Sequence, residues 1–312
     1  MERVSAAPAT GAARPGTAAL VLRATRPLYL PTSLLPGLAG VLVALDSDDA
    51  NWWLAPVAMV ALLFVHAGTN VINDVEDYAR GVDAADKMDN SRVFNTGLMS
   101  VAAGRRLAFG FFGAAFLLGV AMSVIQGPAL LAIGLIGILG GLGYSAGPRP
   151  LKFAGLGDVA IVLLMGPLLT QGAYTAVTGD GFHAQAFWLG FGPGFLIACV
   201  LAGNNLSDID GDRAAGVRTL AVRLGFGGAR ALVLATLALA YASPVAVWAA
   251  GLLDWPVLLP LLTLPLAVGR ASQALSAKRS GDPLLVTLAP RTAQLHLLFS
   301  ALLAAGAALA EA

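Results

Sequence analysis

The sequence predicts an all-α integral membrane protein with nine transmembrane helices, its N-terminus in the cytoplasm and its C-terminus outside. Three observations carry this. Of 312 residues, 57% are hydrophobic and 12% charged, about half the charge of an ordinary soluble domain, and the mean hydropathy is +0.77. The apolar residues gather into runs near the roughly 20 residues that a helix needs to cross a bilayer. The nineteen basic residues lie only in the N-terminal segment and in every second loop. Soluble, disordered and coiled-coil classes are thereby excluded. The net charge of +1 supplies no field for nucleic acid. Cys199 is the single cysteine, so no disulfide framework or cysteine-built metal site exists.

Residues 1–26 are Ala-rich with Arg3, Arg14, Arg23 and Arg26. They lack an apolar core ending at a small-residue cleavage site, and read as a disordered cytoplasmic tail. Residues 27–312 read as one transmembrane domain. The first run, 28–45, ends at the acidic turn Asp46–Asn51, and the second, 53–73, ends in Asn and Asp. The third, 107–125, follows Arg105 and Arg106, and Gly127-Pro128 separates it from the fourth, 128–145. Gly134, Gly137, Gly140, Gly141 and Gly143 crowd that fourth run, a composition that suits close helix packing. The fifth, 157–178, begins at a GLGD stretch, and the sixth, 185–206, again ends in Asn and Asp. The seventh covers 230–250, and the ninth, 291–310, is uncharged after Arg291. The eighth, 255–269, is short and contains Pro256, Pro260 and Pro265, tolerable where neighbouring helices satisfy the freed backbone. Every loop that carries Lys or Arg falls on one side of this arrangement, so the positive-inside rule makes that side cytoplasmic. The expected location is the cell membrane, multi-pass, and for a bacterial protein the cytoplasmic membrane.

Two cytoplasmic loops, about 74–106 and 207–229, are long and polar. Each follows a helix end with the same flavour. The first reads Asn70-Val-Ile-Asn73-Asp74-Val-Glu76-Asp77, the second Asn204-Asn205-Leu-Ser-Asp208-Ile-Asp210-Gly-Asp212-Arg213. The two leading asparagines are 134 positions apart, which suggests a repeated four-helix unit. Residues spaced by three or four share a helix face. Asn70, Asp74 and Asp77 therefore form one polar stripe, and Asn204, Asp208 and Asp212 a second. Carboxylates so close repel one another unless a cation lies between them. An all-oxygen donor set suits Mg²⁺, which takes one or two carboxylates plus substrate phosphates. His66, His183 and His296 are scattered along the chain, are expected to lie away from both stripes, and read as packing or surface residues. Lys87, Arg92, Lys152 and Arg218 share the acidic side, and acids plus bases at one membrane face suit a diphosphate. Asp158 in GLGD has two readings, a site residue or the N-cap of its helix.

These stripes resemble the N-x-x-x-D-x-x-D and N-x-x-x-D-x-x-x-D motifs of the UbiA superfamily of intramembrane prenyltransferases, within it most nearly the 1,4-dihydroxy-2-naphthoate prenyltransferases of menaquinone synthesis. Supporting stretches are RPLYLPTSLLPGLAG at 26–40, NDVEDYARGVDAAD at 73–86, LKFAGLGDVAI at 151–161 and NNLSDIDGDRAAGVRTLAVRLG at 204–225. The chain departs from the quinone-pathway pattern at Val75, an aromatic position there. The resemblance implies helices around a central cavity. It implies that Asp74, Asp77, Asp208 and Asp212, with Asn70 and Asn204, bind Mg²⁺ ions that hold an isoprenyl diphosphate. Lys87, Arg92, Lys152 and Arg218 would neutralise the leaving diphosphate, with Lys152 in a catalytic role. The partners implied are an isoprenyl diphosphate, an aromatic acceptor and the bilayer. A terpene cyclase would use the same ionisation without an acceptor. An ion-coupled transporter fits less well, because the acids cluster at one face rather than at the midplane. A phosphatidyl-type alcohol transferase is set aside because Tyr78 follows Asp77 where its motif requires glycine.

Overall fold

A computed structural model describes residues 15–82 and 91–311. Every regular element among them is helical: α1 (Thr17–Ala24), α2 (Pro31–Leu42), α3 (Leu54–Arg80), α4 (Val101–Gln126), α5 (Pro128–Ser145), α6 (Gly157–Met165), α7 (Pro167–Thr178), α8 (Ala184–Leu189), α9 (Phe191–Ala214), α10 (Leu220–Ala249), α11 (Leu264–Ser276) and α12 (Leu288–Ala310). Two 3₁₀ segments, Trp255–Thr263 and Pro283–Thr287, lead into α11 and α12. Among the described residues eight segments are long and apolar enough to cross a membrane, with α6–α7, α8–α9 and the 3₁₀-led pairs each counting as one. They coincide with the second to ninth expected runs. The first run is only the 12-residue α2, about 18 Å at 1.5 Å per residue, continued by turns to Asp46. Within the segment expected to be a disordered tail, residues 17–24 form α1, whose Ala24 is buried against the α3–α4 pair.

Local sequence explains the irregular spans. In Trp255–Thr263, Pro256 and Pro260 remove backbone donors, and the chain tightens into 3₁₀ form before α11 begins. At Gly166 (φ −115°, ψ −106°) the fifth span breaks between α6 and α7, followed at once by Pro167. The break sits where the fifth and sixth spans touch: a Cβ on Gly166 would lie 2.5 Å from the Gly190 carbonyl oxygen, and one on Gly194 2.5 Å from that of Val162. Only glycine permits that crossing.

Three buried apolar clusters result, the smallest joining Leu54 and Ala58 of α3 with Met122, Leu130 and Ala176. One core joins α2, α7, α9, α10, α11 and α12 around Leu196, Leu206, Leu295 and Phe299. A second joins α1, α3 and α4 around Ile72, Val75, Phe94 and Phe112. Large apolar side chains on the outside of α4, α5, α10 and α11, such as Leu117, Val124, Leu139 and Val268, are exposed; in a span these face lipid. These helices enclose a cavity of about 380 Å³, lined mainly from α2 to α7 and α9.

Candidate active site

Helix α3 has 27 residues, about 40 Å of helix against a hydrocarbon core of about 30 Å. Its polar C-terminal turns therefore project past the apolar layer. Helix α9 ends in the same way in its Asn/Asp stretch. Both ends open on the cavity. Asn70, Asn73 and Asp77 line it from α3, and Asn204, Asn205, Asp208 and Asp212 from α9. Lys152 enters from the α5–α6 connection. Its Nζ donates to Asn73 Oδ1 at 2.7 Å and pairs with Asp77, while lying 4.9 Å from the centre of the Phe153 ring. Ser145 Oγ donates to the same Asn73 oxygen at 2.7 Å. Asn70 Nδ2 donates to the Thr25 carbonyl at 2.9 Å, which orients its amide. Asp212 is buried and accepts a 3.5 Å contact from Thr219 Oγ1.

The stripes are thus brought together, with one change of membership. Asp74 is 1% exposed and is not among the cavity-lining residues. Its carboxylate pairs with Arg26 and accepts from the Ser91 backbone N–H at 2.9 Å, while Arg23 Nε donates to the Ser91 carbonyl at 3.0 Å. In its place Asn73 faces the cavity. Glu76 turns away to Arg105 at 2.8 Å, and Asp210 pairs with Arg213 on the surface at 3.2 Å. Arg92 (φ 57°) and Arg218 are both exposed and outside the cavity lining. Lys87 lies outside the described residues.

Three further corrections follow. His66 is not remote from the first stripe: it lines the cavity one turn below Asn70, its Nδ1 2.8 Å from Ser33 Oγ. Asp158 is not an N-cap. Leu156 holds that position without a side-chain bond, and Asp158, the second residue of α6, lines the cavity. Arg26, which reads from the sequence as a charge of the tail, also reaches the cavity. The signal for His66 and Asn73 was present in the helical spacing from Asn70; Arg26 had none, because its role depends on a chain segment folding back across α3.

The sequence profile of the UbiA prenyltransferase family matches residues 33–289. The chain belongs to that family. It is 32% identical over 287 residues to 1,4-dihydroxy-2-naphthoate octaprenyltransferase of Mycobacterium tuberculosis, covering 90% of this chain and 94% of that protein. It is 28% identical to the protein of the same description from Bacillus subtilis, covering 90% of each. The structure of a UbiA homolog from Archaeoglobus fulgidus bound to DMAPP and Mg²⁺ superposes with a TM-score of 0.62 at 21% identity, covering 91% of this chain and 98% of that one. The apo structure of a UbiA homolog from Aeropyrum pernix gives 0.63 at 19%, covering 88% and 96%. These likenesses establish the fold as that of the UbiA family, a multi-pass helical membrane protein.

Proposed function

We propose that the protein transfers an isoprenyl chain from an isoprenyl diphosphate to an aromatic acceptor, 1,4-dihydroxy-2-naphthoate or a related hydroxyaromatic quinone precursor. The observation that supports it most is the meeting of two Asn/Asp helix ends and Lys152 at one cavity whose deeper walls are apolar. The curated relatives named for that reaction extend the reading to the acceptor.

The donor set suits Mg²⁺. The side chains that α3 and α9 turn to the polar end of the cavity offer amide and carboxylate oxygens. Among the described residues no three histidine, cysteine or acidic side chains form a ready-made ion cage, so an ion bound there would complete its shell from substrate phosphate and water. Asp77, Asp208 and Asp212, with Asn70 and Asn204, would hold two such ions jointly with the substrate's phosphate oxygens; Asp74 would join only on release from Arg26. When bound, Mg²⁺ supplies charge that offsets the diphosphate as it departs.

The protein's own part follows from the geometry. Lys152 is held by Asn73 and Asp77 at the polar end, a donor fixed before the reaction where negative charge develops on the leaving diphosphate. The allylic C–O bond breaks with its electron pair going to diphosphate, and the ring carbon of the acceptor forms the new C–C bond. Apolar walls such as Leu164, Leu168 and Ile161 keep water from capturing the cation and give the prenyl chain its place. By the positive-inside rule the polar end would open to the cytoplasm, where the diphosphate headgroup and the acceptor could reach it.

The test is purified protein in detergent with Mg²⁺, isoprenyl diphosphates of several lengths, and dihydroxynaphthoate, 4-hydroxybenzoate or no acceptor. Prenylated aromatic product is expected, and Asp208→Ala is expected to lose at least about 100-fold in rate. Terpene formed without any acceptor, and no aromatic product, would replace this reading with a cyclase.

A further inference from the structure

We propose that Asp158 is a catalytic residue on the acceptor side: its carboxylate holds the ring hydroxyl of the acceptor and takes its proton as the carbon–carbon bond forms. The inference deepens the aromatic-transfer reading above and rests on it.

Asp158 lines the cavity yet is only 6% exposed, and its Oδ1 is buried with no hydrogen-bond partner. A desolvated acceptor left unbonded costs free energy, so such an atom in a native site calls for a donor that arrives with a ligand. The cations nearest the polar end are engaged elsewhere, Lys152 with Asp77 and Arg26 with Asp74. Its place along the cavity is fixed by its neighbour. A Cβ on Gly157 would lie 3.0 Å from Lys152 Cα and 3.6 Å from the ring of Tyr144, so the start of α6 is pressed against the segment that presents Lys152. Asp158 therefore sits where the diphosphate end meets the apolar part, beside the carbon being transferred.

The chemistry balances. As the hydroxyl O–H bond breaks, its electron pair passes into the ring and its proton to Asp158. The ring carbon bonds to the allylic carbon, whose bond to oxygen leaves with the diphosphate. The ring then regains aromaticity by losing the substituent at the attacked carbon, as a proton or as carbon dioxide, while Asp158 returns its proton to the oxygen.

The experiment compares the full-length enzyme with Asp158→Asn, which keeps the shape and removes the proton acceptor. Rates are measured with a hydroxyaromatic acceptor, with its O-methyl ether, and with no acceptor. Transfer to the hydroxyaromatic should fall by about 10²–10⁴-fold, while isoprenyl diphosphate affinity and acceptor-free diphosphate release stay within about threefold of wild type. On the O-methyl ether the two proteins should be equally slow, because no hydroxyl proton is there to take. Unchanged transfer in Asp158→Asn overturns the proposal. So does a parallel loss of acceptor-free diphosphate release, which would put Asp158 on the donor side. Failure of the aromatic-transfer reading itself shows in the wild type alone, as no transfer to any hydroxyaromatic, and removes this proposal with it.

Discussion

The exchange of Asp74 for Asn73 in the cavity wall shows what spacing decides and what it leaves open. At about 100° per residue, Asn73 and Asp74 lie on opposite flanks of the line through Asn70 and Asp77, so helical periodicity admits either. Arg26 resolves the choice from 48 positions away, by drawing Asp74 to one side. That pair is well sheltered, its side chains 16% and 2% exposed. Removing one partner of a buried pair strands the other charge, at a cost of about 3 kcal/mol. Arg26→Ala is therefore expected to lower the thermal unfolding midpoint in detergent. Adding Asp74→Asn to it should recover part of the loss, because the stranded charge is gone. An unchanged midpoint in Arg26→Ala would show that the pair contributes nothing to stability. Lys152 and the α9 stripe, by contrast, were legible, because each stands at the end of a long apolar run on the side that carries the bases, and the spacing of Asn204, Asp208 and Asp212 alone turns them to one helix face.

At the scale of elements, hydropathy located the spans well and their interiors poorly. It placed eight runs where eight membrane-length segments stand, because lipid burial dominates the local sequence. It did not show the break at Gly166 or the 3₁₀ form of Trp255–Thr263, which depend on contacts and on missing N–H groups rather than on apolarity. Helix α5 is the instructive case. Its glycines suggested close packing, and Gly140 does pack, a Cβ there meeting the Leu164 side chain at 2.5 Å. Gly134 and Gly137 do something else: they line the cavity, Gly134 with nothing within 4 Å of an added Cβ. Small residues there widen the cavity, the room that the proposed prenyl chain would take. Gly134→Phe should project a ring into that room with little cost to folding. Given isoprenyl diphosphates of graded length, the variant is expected to use the shorter ones and lose the longest, as read from the chain length of the products. A product profile identical to wild type would place the chain elsewhere.

For the molecule as a whole, charge and aromatic side chains divide between two faces. Asp46, Asp48, Asp49, Asp180, Asp254 and Glu311 occupy the loops and the C-terminus that carry no base. Their crowding is felt: burial first, then the neighbouring Asp46 and Asp254, push Glu311 up to about 7. All five tryptophans, Trp52, Trp53, Trp188, Trp248 and Trp255, are exposed and lie at the span ends on this same side, where indole favours the lipid–water interface. In the sequence, all nineteen bases fall in the N-terminal segment and the alternate loops, which among the described residues are on the side of the Asn/Asp helix ends. The positive-inside rule predicts that this basic side, where the proposed diphosphate site lies, faces the cytoplasm. The chain offers a clean test, because its one cysteine, Cys199, is buried. Cysteine placed at the exposed Asp180 should react with a membrane-impermeant maleimide on intact cells. Cysteine at the exposed Arg279 should react only after the membrane is opened. The reverse pattern would invert the protein in the bilayer and put the polar end of the cavity on the side without cytoplasmic substrate.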